Sequence, residues 1–171
     1  MAEQIQETQA HGKAEEEDLN LGIMKSGDYM IHVYLQKGKN FKLEDSPDDS
    51  EDEDKLFNAI AVVQCGSTKF YSKTLSDCKV NSDDGHYWGE HFFFEPKGLH
   101  SDEIQSTSLQ IRIMDKCFFK DKTIGVFDID LSSIYFMNEE HAMQHQWVAI
   151  NNPEGKDFNS IKGYLQISVA V

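Results

Sequence analysis

The chain has three cysteines, three prolines and no apolar run approaching the about 20 residues that a bilayer-spanning helix needs. Cys65, Cys78 and Cys117 cannot all pair within the chain and contain no Cys-x-x-Cys spacing, so a zinc cage or redox pair is not expected and a reducing cytosol fits. A basic start followed by an apolar stretch is also missing from the N-terminus, so nothing marks a secretory signal. The expectation is a soluble cytoplasmic domain, peripheral to any membrane it meets, with any tail anchor of a longer parent lying beyond Val171.

Catalytic patterns are equally scarce. No G-x-S-x-G elbow, P-loop or dinucleotide-binding glycine pattern occurs. His141 and His145 lie four apart behind Glu139 and Glu140, but the HExxH order is absent and no third ligand is assignable, so a surface or packing role is expected. Lysines beside Cys117 would lower its pKa, yet no base is assignable, and it reads as a plain surface thiol. The chain is not expected to be an enzyme.

A basic excess is lacking too, since the net charge is −14. Residues 1–28 hold seven acids against Lys13 and Lys25, and residues 44–54 hold eight with no base. Fifteen acids and fourteen bases remain elsewhere, so the folded body is nearly neutral. Nucleic acid is excluded as a partner, because binding it needs a basic stripe that displaces counterions.

What the chain does have is strand pattern. Residues 1–27, rich in Glu and Gln and free of aromatics, read as a disordered acidic leader, with a single domain over 28–171. Ile31, Val33 and Leu35 alternate with Met30, His32 and Tyr34. Further segments follow at Ala59–Cys65, Thr68–Thr74, Tyr87–Phe94, Thr107–Met114, Thr123–Asp130, His145–Ile150 and Ile161–Val169. Eight short strands joined by uneven polar connections predict an all-β antiparallel Greek-key sandwich. One helix is expected between strands six and seven, over Ser132–Gln144, with Ile134, Met137 and His141 on one face. Trp88 and Trp147 both read as core.

Two connections stand out, Lys37–Lys55 with its acidic run and the tight turn Asp115–Lys122, and Greek-key order can place them at one end. Phe118 and Phe119, flanked by Lys116, Lys120 and Lys122, form an apolar wedge ringed by cations, suited to a membrane interface, and Phe41 and Leu43 are candidates to join them. The opposing expectation is a phenylalanine folded back to plug the sandwich. Ser46 and Ser50, each with an acid three residues on, are candidate sites for an acid-directed kinase.

Tyr29-Met30-Ile31-His32-Val33-Tyr34 with the Gly38-Lys39-Asn40 turn, and Ile113-Met114-Asp115 followed by Thr123-Ile124-Gly125, resemble the first strand and third loop of a C2 domain. Trp88-Gly89-Glu90-His91-Phe92-Phe93-Phe94 and the tail series Asp128-Ile129-Asp130-Leu131, Gln146-Trp147, Asn152-Pro153 and Lys162-Gly163-Tyr164 resemble the second C2 domain of ferlins. The resemblance implies type II strand order and a non-catalytic, phospholipid-docking module of a vesicle-fusion or membrane-trafficking protein, monomeric in isolation. It also implies a calcium site built from loop carboxylates. The candidates are Asp45, Asp48 and Asp54 in the first loop and Asp115 and Asp121 in the third, while Asn58 and Cys117 stand where the family pattern has aspartates. Calcium wants about six to eight oxygens, so weak or atypical dependence is expected. The alternative is a calcium-independent domain that binds other C2 domains or trafficking proteins.

Overall fold

The computed structural model describes residues 22–43, 55–153 and 160–171. Among these described residues, nine strands and two short helices follow in the order β1 Ile31–Lys39, β2 Leu56–Cys65, β3 Thr68–Tyr71, β4 Leu75–Lys79, β5 His86–Phe94, α1 Ser101–Gln105, β6 Ser108–Asp115, β7 Lys122–Asp130, α2 Leu131–Tyr135, β8 Ala142–Asn151 and β9 Ile161–Ala170. All pairing is antiparallel. One sheet runs β8-β9-β1-β5 and the other β7-β6-β2 with β3 and β4 both on β2, and the two meet at the single pair Val126 and Asn151. The first strand lies between the last strand and β5 and does not pair with β2, which is the expected type II order.

The alternation seen in the sequence explains the layers, because a strand's side chains point to opposite faces with period two. Ile31, Val33, Leu35, Trp88, Phe92, Phe94, Leu165, Ile167 and Val169 come inward from one sheet. Phe57, Ala59, Ala61, Val63, Leu109, Ile111, Ile113 and Ile124 meet them from the other. Each large side chain so buried contributes about 1.5–3 kcal/mol relative to exposure.

Four features differ from the sequence expectation. The third expected strand, Thr68–Thr74, ends at Tyr71, and an added strand, β4, follows it at Leu75–Lys79; the break falls at Ser72, which is buried, its hydroxyl accepting the Ala61 N–H at 2.8 Å. The expected helix over Ser132–Gln144 stops at Tyr135, since the Asn138 side chain bonds both the N–H and the carbonyl of Ala142 and draws the chain into a turn. His141 and His145 consequently sit in the left-handed region, at φ of 51° and 49°, rather than on one helix face. A helix not foreseen, α1, begins where the Glu103 carboxylate accepts the His100 N–H at 2.8 Å.

The folded body takes in residues 22–27 as well. Met24 is fully buried, and Gly27 exchanges backbone bonds with Leu99 at 2.9 and 3.0 Å. The rest of the expected leader, residues 1–21, lies outside the described residues.

Candidate functional site

One pole of the sandwich collects the ends of four connections. Lys39, at the end of β1, pairs with Tyr164 near the start of β9, and Asp115, at the end of β6, pairs with Ala59 near the start of β2. Backbone bonds tie the mouths of these connections together: Lys116 N–H to the Asn58 carbonyl at 2.8 Å, Val80 N–H to Lys55 at 3.1 Å, and Lys42 N–H to Lys162 at 2.9 Å. The two segments expected to share an end therefore do so, at least through the described margins of the first and the whole of the second.

Asn58 organises this pole. Its N–H donates to Asp115 Oδ1 at 3.0 Å, its carbonyl takes Lys116, and its side-chain oxygen accepts the Asp77 N–H at 3.4 Å. Asp121 Oδ1 accepts the Cys117 N–H at 3.2 Å, closing the tight β6–β7 turn. Asp77, at φ 54° within β4, is a third carboxylate residue at this pole, and the sequence pattern does not announce it because its strand, Leu75–Lys79, lacks the alternation of the others.

Phe118 and Phe119 stand at the tip of that turn, each 96% exposed, with ring centroids 5.0 Å apart in an edge-to-face arrangement. Neither folds back to plug the sandwich. Lys116, Lys120 and Lys122 around them are all exposed. Phe41 does not join the tip: it is fully buried, edge-on to Phe57 at 5.6 Å and to Trp88 at 6.3 Å. Two glycines make its slot, since a Cβ on Gly38 would come 2.4 Å from its ring and one on Gly163 2.7 Å. Leu43 is half-buried against the core. Asp45, Asp48, Asp54, Ser46 and Ser50 lie outside the described residues.

Two further expectations are corrected. Trp147 is 40% exposed on the outer face of its sheet, not core. The Cys117 thiol is raised rather than lowered in pKa, by partial burial first and then by the charge of Asp115 and a hydrogen bond to it, with Lys122 pulling the other way.

The C2 domain family model matches residues 29–150 of the 171. The chain belongs to the C2 domain family. Solved structures share the fold at low identity. The calcium-bound C2A and C2B domains of extended synaptotagmin 2 are 16% identical with a TM-score of 0.57, covering 85% of this chain and 42% of that one. A C2 domain-containing protein is 17% identical at 0.59, over 86% and 90%. Human GIVD cytosolic phospholipase A2 is 16% identical at 0.52, over 85% and 16%. No curated protein sequence matches the chain. None of the three structures is a ferlin, so the finer likeness rests on the Trp88–Phe94 segment and the tail motifs of the sequence.

Calcium, the ion of one of those relatives, is tested by the donors present. Of the expected ligands among the described residues, Asp115 and Asp121 each already hold a backbone N–H, and the position between them offers a protonated thiol, a poor ligand for a hard cation. No group of three or more His, Cys, Asp or Glu residues is arranged to hold a metal among the described residues. The described residues of the pole do not by themselves complete a calcium cage. Likewise, no described helix is long and apolar enough to cross a membrane.

Proposed function

We propose that this C2 domain docks, without catalysis, on a phospholipid membrane surface through the pole that carries Phe118 and Phe119. The observation behind the reading is the near-complete exposure of two adjacent aromatic rings inside a ring of lysines. Leaving both rings in water is unfavourable by about 2 kcal/mol each relative to burial, while the headgroup boundary accepts aromatics and the lysines meet anionic phosphate. The ferlin-like tail motifs extend the proposal to a module of a larger trafficking or vesicle-fusion protein, cytoplasmic and peripheral to its membrane.

Calcium acts in this reading through charge. The eight acids of residues 44–54 oppose anionic lipid, and divalent cations screen them, which yields weak dependence without a cage. Cys117, interrupting the carboxylate pattern, favours a second reading in which the domain binds a protein partner independently of calcium. Co-sedimentation with phosphatidylcholine/phosphatidylserine vesicles separates them. Wild type should pellet, more so with calcium, and the Phe118→Ala, Phe119→Ala double variant should stay in solution; equal pelleting of the two proteins overturns the membrane reading.

A further inference from the structure

Trp147 points outward from β8 with Lys37 Nζ 5.5 Å and Lys39 Nζ 4.8 Å from its ring centroid. The register explains the grouping. Gln166 of β9 pairs with Lys37 on one side and Trp147 on the other, and Tyr164 with Lys39 and Ala149. Gly38, between the lysines, faces the core, where an added Cβ would meet Phe41, Leu165 and Trp88, so both lysines face out with the indole. The outer face of the β8-β9-β1-β5 sheet thus holds two ammonium groups over one partly exposed aromatic ring.

Two like charges against one ring repel each other, and an anion held between them relieves that repulsion. Among the described residues the carboxylate ion pair is Lys97 with Asp28, elsewhere on the fold, and neither Lys37 nor Lys39 has such a partner. The basic row continues toward the pole through Lys42, whose N–H bonds the Lys162 carbonyl. Resting on the membrane-docking reading, we infer that Trp147, Lys37 and Lys39 form a second contact on the flank of the domain that takes the phosphate of an anionic phospholipid headgroup in the bilayer.

Distance supports this occupant. Lys37 is two residues below the end of β1, about 7 Å at the rise of an extended strand. The patch therefore lies near the end of the sheet that faces the docking pole, and a domain tilted toward this flank turns it toward the headgroup layer. The indole selects a bilayer over a free phosphate ester, because tryptophan is favoured where one face is apolar and the other wet, and a soluble inositol phosphate offers nothing to the ring.

The molecule carries its own reporter. Trp88 is 1% exposed, so a change in tryptophan emission on binding belongs to Trp147. The full chain is titrated with phosphatidylcholine vesicles, with and without phosphatidylserine and with brominated acyl chains, while co-sedimentation is read in parallel. Soluble inositol hexakisphosphate forms a separate arm. Wild type should shift to the blue and be quenched on the anionic vesicles only. Lys37→Ala with Lys39→Ala should weaken binding about tenfold and reduce the quenching, with an unchanged thermal melt. Vesicles that pellet wild type while its emission stays unchanged, or a double variant that binds as wild type does, overturn the flank contact and leave docking by the pole intact. An emission change with inositol hexakisphosphate and none with vesicles overturns it in favour of a soluble ligand. If wild type pellets with none of the vesicles, both the flank contact and docking by the pole are overturned.

Discussion

The Asp115 carboxylate accepts the backbone N–H of Asn58 at 3.0 Å, joining the last residue of β6 to the third residue of β2, which lies 57 positions earlier. A carboxylate that the family pattern assigns to metal is thereby engaged in holding the pole together. Its removal should be felt as structure before it is felt as ligand binding.

Replacing Asp115 by Ala leaves the half-buried Asn58 N–H without its acceptor, so stability should fall by about 1–2 kcal/mol. Urea unfolding measures the loss, and amide exchange should quicken at Asn58 and Lys116. Asp115→Asn keeps an acceptor and should restore most of it. Both changes should also lower the Cys117 pKa, though only in part, because burial is the larger cause of its rise. A thiol titration that does not move would remove Asp115 from that account.

The two kinds of phenylalanine should separate stability from binding. Phe41→Ala opens a cavity between Gly38, Phe57, Trp88 and Gly163 and should destabilise the domain by about 3–5 kcal/mol. Phe118→Ala touches nothing in the core and should stay within about 0.5 kcal/mol. Its effect should appear in vesicle binding instead. Thermal melts beside co-sedimentation test the pair, and a large stability loss at Phe118 would mean that the tip is part of the fold.

These contrasts mark what the sequence could and could not disclose. Alternation at Ile31, Val33 and Leu35 and at Leu165, Ile167 and Val169 reveals buried faces because strand geometry has a period of two, and those residues are buried. The exposed tip was legible because Phe118 and Phe119 adjoin each other in a run flanked by charge. Phe41 was misjudged because its burial depends on Gly38 and Gly163, residues from strands far apart in sequence whose missing side chains make room for it. Trp147 was misjudged for a related reason. A bulge between Met143 and Gln146 in β8 shifts the register against β9, and no sequence period announces a bulge. The helix over Ser132–Gln144 failed on one side chain, since Asn138 can bond local backbone in place of a helical partner.

His32 should make stability depend on pH. Its imidazole pKa lies below 6.5, through partial burial first and the neighbouring charge of His91 second, and its Nε2 lies 2.8 Å from His91 Nδ1. The unfolded chain therefore binds more protons than the folded one in the interval between the lowered value and 6.5. Its contribution is fully present above pH 6.5 and is lost as pH falls through the folded value. Melting temperature should drop on acidification through that interval, and His32→Gln should flatten the dependence. Imidazole shifts of His32 in NMR that report a midpoint above 6.5 would reverse the sign.

Substitution at position 117 tests how the pole meets calcium. The Cys117 backbone is bonded to Asp121, and its thiol lies within hydrogen-bonding reach of Asp115, so a carboxylate introduced there would sit between two others. Three negative groups in one turn repel each other, which disfavours the charged form of each until a cation neutralises them. Cys117→Asp should therefore lower the melting temperature in the presence of chelator and restore it with calcium, with a saturating titration localised to residues 115–121. Wild type, which has two such carboxylates each holding a backbone N–H, should show a smaller and non-saturating response. Melts with and without calcium, read beside isothermal titration, provide the comparison. If the variant and wild type respond alike, the thiol at 117 is not what keeps the described pole from holding the ion.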